Sequence, residues 1–308
     1  MTPRRYATPL AFKQALDERL RENASNGNQF SRKRQILVFE RFLARIAMVF
    51  GEAVTLKGGL ALELRLDRAR TTKDVDLRMT GSPDDVLERL REAAGRDLDD
   101  FMKFEVHADT DHPEIHNEGL QYGGLRFRVF CKIAGKQYAY PFGVDIVFGE
   151  PHFGNIDTWI AEDFLAFAGI APPTLRVYPI ETHIAEKLHA YTMPRVRSNS
   201  RVKDFPDLAL LASVRTLDAQ ILKVALEQTF SFRKTHRLPA ITPIPPGEWA
   251  FPYSNMARED RLEWPTLESV TLAVQSFLDP ILAGDLDATW VPSQWQWSSV
   301  KSAPRPTS

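Results

Sequence analysis

From Pro9 to Leu20 and again from Ser31 to Phe50, apolar residues return at helical spacing, the second run through Ile36, Phe39, Phe42, Leu43, Ile46 and Val49. Asn23 to Asn28 breaks the pattern, so two helices open the chain. Ala53 to Leu56 is a short apolar run that stops at Gly58-Gly59, and Leu60, Leu62, Leu64 and Leu66 follow in a stretch without β-branched residues. The glycines therefore mark a strand-to-helix turn. From Asp74 to Met79, Val75, Leu77 and Met79 alternate with Asp76 and Arg78, the period of a strand with one buried face, its carboxylates on the other.

The pattern continues with a helix from Asp84 to Ala94, a strand from Phe104 to Ala108 and a polar loop from Asp109 to Gly123. Strands from Leu125 to Ile133 and Tyr138 to Phe148 flank the turn Ala134-Gly135-Lys136. After Pro172-Pro173 come one short strand, Leu175 to Val177, and helices from Pro179 to Tyr191, Asp204 to Val214 and Leu217 to Phe230. This order predicts an α/β (α+β) protein: a mixed block over residues 1–171, a mainly helical domain over 172–297, and a disordered Ser/Pro/Lys-rich tail over 298–308. Leu238 to Pro252 is rich in proline and aromatics, and there is no internal repeat.

Composition narrows the classes. A chain of 308 residues, 44% hydrophobic, can bury substantial cores. Lys+Arg 39 against Asp+Glu 40 leaves a formal charge of -1, so any nucleic-acid surface must be local. The single cysteine, Cys131, cannot form an internal disulfide, and no apolar run approaches the roughly 20 residues that span a bilayer. Arg4-Arg5 is followed by no apolar segment of the secretory kind, and the expected location is the cytoplasm.

The chemistry concentrates in Lys57-Gly58-Gly59 and Asp74-Val75-Asp76. A two-glycine turn can bring backbone N–H groups against a phosphate, and carboxylates at i and i+2 of a strand can share a divalent cation. Asp145 stands in Gly143-Val144-Asp145-Ile146-Val147-Phe148, where its apolar neighbours face a core and an adjacent strand could set it beside Asp74 and Asp76. Three such charges within about 4 Å repel by roughly 4 kcal/mol per pair at an effective dielectric near 20, which calls for Mg²⁺. Two Mg²⁺ ions would suit an in-line phosphoryl displacement. By itself an Asp-x-Asp strand is more often a solvated face, and Gly-Gly an ordinary turn; the conjunction carries the weight.

A second constellation lies downstream. Lys187 borders the stripe Ile180, Ile184, Leu188 and Tyr191, from which a lysine either snorkels outward or reaches into a cleft to bind a triphosphate. Asp204 and Asp207 flank Phe205-Pro206, where helix capping and catalysis compete for Asp204 and a structural role suits Asp207. Arg195, Arg197, Arg201 and Lys203 form the densest basic run, a solvated loop by default and an RNA-backbone contact on the sharper reading. The histidines show no zinc-ligand spacing with Cys131.

Lys57-Gly58-Gly59-Leu60-Ala61-Leu62 followed by Thr72-Lys73-Asp74-Val75-Asp76-Leu77 resembles the first motif of the AbiEii/AbiGii-type nucleotidyltransferase toxins, a branch of the DNA polymerase β-like nucleotidyltransferases. Glu186-Lys187-Leu188-His189-Ala190 and Arg201-Val202-Lys203-Asp204-Phe205-Pro206-Asp207-Leu208 resemble the family's second signature, in the same order. The likeness runs from Val54 to Leu211. It implies a polymerase β-like core and a toxin of a toxin–antitoxin or phage-defence operon. It further implies transfer of a nucleotide from an NTP to the 3′ acceptor end of tRNA, a block of translation, and a cognate antitoxin as partner. Asp74 and Asp76 would bind Mg²⁺, with Asp145 as a further carboxylate. Lys57, Gly58, Gly59, Thr72 and Lys187 would contact the nucleotide, and Asp204 would be catalytic. Gly59 replaces the serine of many superfamily members, so a hydroxyl contact to phosphate is lost. Alternatives are the same chemistry on a small molecule or a protein, and a silent NTP- or antitoxin-binding module.

Overall fold

A computed structural model describes residues 5–66, 72–110, 114–115, 124–195, 201–284 and 286–299. The chain divides into two compact units, one of residues 1–60, 72–150 and 156–177, the other of residues 61–71, 151–155 and 178–308. The sequence places a boundary near Pro172; the contacts keep the strand after it with the first unit and assign two short upstream segments to the second.

In the first unit, helices α1 (Pro9–Glu22) and α2 (Gly27–Phe50) precede β1 (Val54–Lys57), whose end runs directly into α3 (Gly58–Arg65), a helix assigned to the second unit from Ala61 on. Thr8 and Asn26 accept backbone N–H groups at the two helix starts, which is why α2 begins inside the polar break. Then come β2 (Val75–Met79), α4 (Val86–Gly95), β3 (Lys103–Ala108), β4 (Glu114–Ile115), β5 (Gly124–Ile133), β6 (Lys136–Gln137), β7 (Phe142–Phe148), β8 (Asp157–Ile160) and β9 (Thr174–Val177). The main sheet runs β3-β5-β7-β2-β1-β9-β8, with β4 and β6 paired to β5. β2 is parallel to β7 and β1 to β9; the other described pairs are antiparallel. The strand expected from Tyr138 starts only at Phe142, because Pro141 has no N–H to give a ladder.

Alternation sorts the sheet into two faces. Val75, Leu77, Val129, Cys131, Val144 and Ile146 are buried on one side, where Phe39 and Phe42 of α2 meet Phe142 at 4.9 and 5.5 Å between ring centroids. Asp76, Arg126 and Asp145 take the other side. Burial pushes the thiol of Cys131 up, so it is a core group and no nucleophile. Beneath the helices, Asp100 is fully buried between Arg41 (2.8 Å) and Arg45 (2.6 Å), whose guanidinium groups overcome the burial penalty and hold its carboxyl below the ordinary range.

The second unit holds α5 (Ile180–Thr192), α6 (Asp204–Val214), β10 (Leu217–Asp218), α7 (Ala219–Arg233), α8 (Ala250–Asp260), α9 (Leu267–Leu282), β11 (Ala288–Val291) and β12 (Gln296–Ser299). Leu188, Phe205, Leu226, Phe277 and Trp290 belong to one core. The fully buried Trp290 donates its indole N–H to the carbonyl of Ala212 (2.8 Å). Ser298 and Ser299, expected in a disordered tail, pair with Thr289 and Ala288 as the end of β12; residues 300–308 lie outside the described residues. The Pro-rich stretch is anchored too, since the hydroxyl of Tyr191 donates to the carbonyl of Pro243 (2.6 Å) and the N–H of Thr242 to Asp279 (2.7 Å).

Glu40 of α2 is 1% exposed, and neither carboxylate oxygen has a hydrogen-bond partner among the described residues. Burial, reinforced by Glu162 and only partly offset by Arg41, pushes its carboxyl up to about 8. The folded chain therefore keeps this proton up to about pH 8 while the unfolded chain releases it near 4.5, so the associated stability is present below 4.5 and is lost as pH rises to 8. Glu40→Gln is expected to raise the melting temperature at pH 8 far more than at pH 5, the gain in stability reaching roughly 3 kcal/mol at neutral pH at 1.36 kcal/mol per unit. Thermal melts across that range, with equal gain at both ends refuting the assignment, check it.

Candidate active site

Register sets four charged residues side by side. Lys57 of β1 lies opposite Asp76 of β2, Asp76 opposite Asp145 of β7, and Asp145 opposite Arg126 of β5. At one end Arg126 grips Asp145 side-on, Nε to Oδ1 at 2.7 Å and Nη2 to Oδ2 at 2.6 Å. At the other, the ammonium of Lys57 pairs with the buried carboxylate of Glu150. Cations thus bracket the carboxylates, and Asp145, expected as a metal ligand, has both oxygens engaged by a guanidinium.

One step along the strands stands Asp74, exposed, its Oδ1 accepting the N–H of Gly143 at 3.1 Å. The glycine is needed there: a Cβ on Gly143 would fall 2.7 Å from that oxygen. Gly58 is under a harder constraint. It has φ +67°, and a Cβ would lie 1.9 Å from Oδ2 of Asp76. The Gly-Gly turn therefore makes room for the Asp76 carboxylate itself. Thr72 is buried and its hydroxyl donates to the carbonyl of Asp74 (3.4 Å), while Arg32 donates to the carbonyl of Thr72 (2.8 Å), which ties down the entry to β2.

Among the described residues no group of three or more His, Cys, Asp and Glu side chains is drawn together as a metal centre. The donor chemistry still fits Mg²⁺, which takes one or two carboxylates plus phosphate oxygens and water. Asp74 and Asp76 project from one face of β2, and Asp74 is exposed.

In the second unit, Lys187 of α5 lies between two carboxylates of α6, 2.6 Å from Asp204 and 2.9 Å from Asp207. It does not snorkel: its side chain is 14% exposed. Burial works against the charge, but Asp207 and Asp204 more than compensate and raise its pKa, so the ammonium stays charged. The cap reading of Asp204 does not hold. Lys203 flanks α6, no side chain caps it, and the second oxygen of Asp204 accepts from Arg201 (3.2 Å). Asp204 and Asp207, one turn apart, both face α5 because Lys187 holds them. Of the basic run, Arg201 is engaged with Asp204, Arg195 donates to the carbonyl of Ala190 (3.4 Å), Lys203 is exposed, and Arg197 lies outside the described residues.

The sequence profile of the "Nucleotidyl transferase AbiEii toxin, Type IV TA system" family matches residues 41–289. The chain belongs to the AbiEii nucleotidyltransferase toxin family. Its fold is similar to that of MenT4, a nucleotidyltransferase toxin from Mycobacterium tuberculosis, with 17% identity over 92% of both chains and a TM-score of 0.52. JHP933 from Helicobacter pylori matches 84% of this chain and 94% of its own at 14% identity and a TM-score of 0.44. No curated protein matches in sequence. As an AbiEii member the chain is a nucleotidyltransferase toxin of a type IV toxin–antitoxin system, with an antitoxin as counterpart. No helix among the described residues is long and apolar enough to cross a membrane.

In this AbiEii chain the sequence reading missed Arg126, Gly143 and Glu150. The signal was there for two of them: Gly143-x-Asp145 repeats the spacing of Asp74-x-Asp76 on the neighbouring parallel strand, and alternation places Arg126 on the polar face of β5. Glu150 follows β7 and carries no local mark.

Gly58→Ala should fold with a displaced Asp76 and lose at least about 100-fold in nucleotide transfer, as expected when a positioned group is shifted. Near-parental rates would refute the close-approach argument. Lys187→Met should destabilise the second unit by about 3–5 kcal/mol, because two buried carboxylates lose their shared cation; denaturant titration reads this directly, and Lys187→Arg should recover part of it.

Proposed function

We propose that this toxin transfers a nucleotide from an NTP to the 3′ acceptor end of tRNA and thereby blocks translation. The observation that supports it most is the carboxylate row, in which Asp76 and Asp145 stand in register between Lys57 and Arg126 with the exposed Asp74 one step along. Asp74 and Asp76 would hold Mg²⁺, which when bound neutralises charge on the phosphates and favours in-line displacement.

Each residue then has a role. The N–H of Gly143 fixes the orientation of Asp74, and the cleared space at Gly58 fixes that of Asp76. Within the second unit, Lys187 keeps one ammonium donor beyond those directed at Asp204 and Asp207, the donor that would meet a phosphate, and Asp204 keeps the ammonium aimed. The tRNA 3′ oxygen bonds to the α-phosphorus as the bond to the bridging oxygen of pyrophosphate breaks, and the hydroxyl proton passes to water. Asp145 serves as a positioning residue for Arg126, in place of the metal ligand expected of it. Preorganised charge supplies most of the acceleration.

Labelled NTPs incubated with the purified chain and total tRNA test the proposal. Transfer of at least one nucleotide is expected, abolished by chelation of divalent cations and lowered about 100-fold or more by Asp76→Asn. No transfer from any of the four NTPs, or labelling of a small molecule or protein in place of RNA, would reject it; nucleotide binding that survives Asp76→Ala without turnover in the parent would point to a silent module.

A further inference from the structure

The polar face of the main sheet does not end at the carboxylates. Along β5, Arg126, Arg128, Phe130 and Lys132 alternate with the buried Phe127, Val129, Cys131 and Ile133. They share the face of Asp145, which Arg126 contacts directly. The next strand adds His107 opposite Arg128, Glu105 opposite Phe130 and Lys103 opposite Lys132. The His107 ring stands edge-on to Phe130, centroids 5.7 Å apart. Arg126 answers Asp145 and Lys132 answers Glu105 (2.7 Å), whereas Arg128 and Lys103 have no carboxylate within ion-pair distance among the described residues. In a chain of net charge -1, this is a local strip of cations around an aromatic ring, contiguous with the site. Gly143, which lies opposite Arg128, contributes no side chain, so nothing on β7 separates Arg128 from Asp74.

We infer that the β5–β3 face is the binding track for a single-stranded nucleic acid whose 3′ end is presented to Asp74 and Asp76. The inference rests on the polynucleotide-acceptor reading above and names its surface. Arg128 and Lys103 take backbone phosphates, Phe130 with His107 takes a base face, and Arg126 keeps an edge of its guanidinium for the terminal phosphate, because the side-on grip of Asp145 uses only Nε and Nη2. From Arg126 to Lys132 the strip extends about 20 Å at roughly 3.4 Å per residue, room for a few nucleotides. The separate basic run at Arg195, Arg201 and Lys203 is not needed for this contact.

The test is fluorescence anisotropy of labelled single-stranded RNA, and of DNA of the same sequence, on the full chain across a salt series, alongside nucleotide-transfer kinetics. Arg128→Ala and Lys103→Ala should each weaken binding and reduce the slope of log K against log salt by about 0.7, the value for one lost phosphate contact on a single strand. Phe130→Leu, which keeps an apolar side chain of similar size, should weaken binding about 5- to 100-fold with the slope unchanged, the mark of lost stacking. All three should raise KM for the acceptor and leave KM for the NTP as it was. Preference between the two strands shows whether RNA or DNA is the ligand, either of which supports the track. A parent that binds neither, or that transfers nucleotide yet is indifferent to all three substitutions, overturns it; binding through the strip without transfer to any RNA would instead overturn the acceptor reading alone.

Discussion

Four strands in fixed register hold the carboxylates of this toxin together, and that register is the constraint on which the remaining chemistry depends. Lys57, Asp76, Asp145 and Arg126 are neighbours only because β1, β2, β7 and β5 pair without a slip. A shift of one residue in any pair would carry the carboxylate into the apolar layer under α2. The alternation that buries Val75, Leu77, Val144 and Ile146 is thus also what presents Asp76 and Asp145, and core packing and site geometry are one requirement. Two glycines complete it. Gly58 and Gly143 provide the volume in which Asp76 and Asp74 sit, so the backbone must come closer to the carboxylates than any side chain would allow.

Three neighbouring carboxylates need neutralising charge, and a bound metal is one source of it. The structure shows a second solution for one of them. Arg126 neutralises Asp145 with two charge-assisted hydrogen bonds, which lowers the repulsion within the row. The second unit repeats the principle with the signs reversed, one buried lysine between two aspartates. Such groups add little to net stability, because desolvation offsets attraction, but their geometry is closely specified, and removing one partner is costly.

Most of the fold of the first unit was legible in the hydrophobic pattern, and so was the conjunction of Gly-Gly, Asp-x-Asp and the Lys187 helix that marks the family. What escaped is instructive. β8 buries none of its four positions and so shows no apolar period, and the C-terminal helices and three-stranded sheet lie in a stretch where proline and tryptophan obscure the alternation. Trp290, Trp295 and Trp297 all donate their indole N–H groups to backbone carbonyls, and this tertiary bonding anchors the strand that takes in Ser298 and Ser299. Asp204 looked like a helix cap because Asp near Pro at a helix start has that meaning locally; its partner, Lys187, is seventeen residues upstream on another helix. Local sequence cannot report a bond of that separation.

Overall charge misleads for the same physical reason. A balance of 39 cations and 40 anions argues against nucleic-acid binding only if the charges are mixed evenly. Period-two alternation prevents that on β5, where every buried position is apolar and the facing positions hold Arg126, Arg128 and Lys132. Antiparallel pairing then brings Lys103 and His107 to the same surface. A strand that must bury one face concentrates its polar residues on the other, so a neutral chain can carry a basic strip wherever two such strands pair, here beside the carboxylate row.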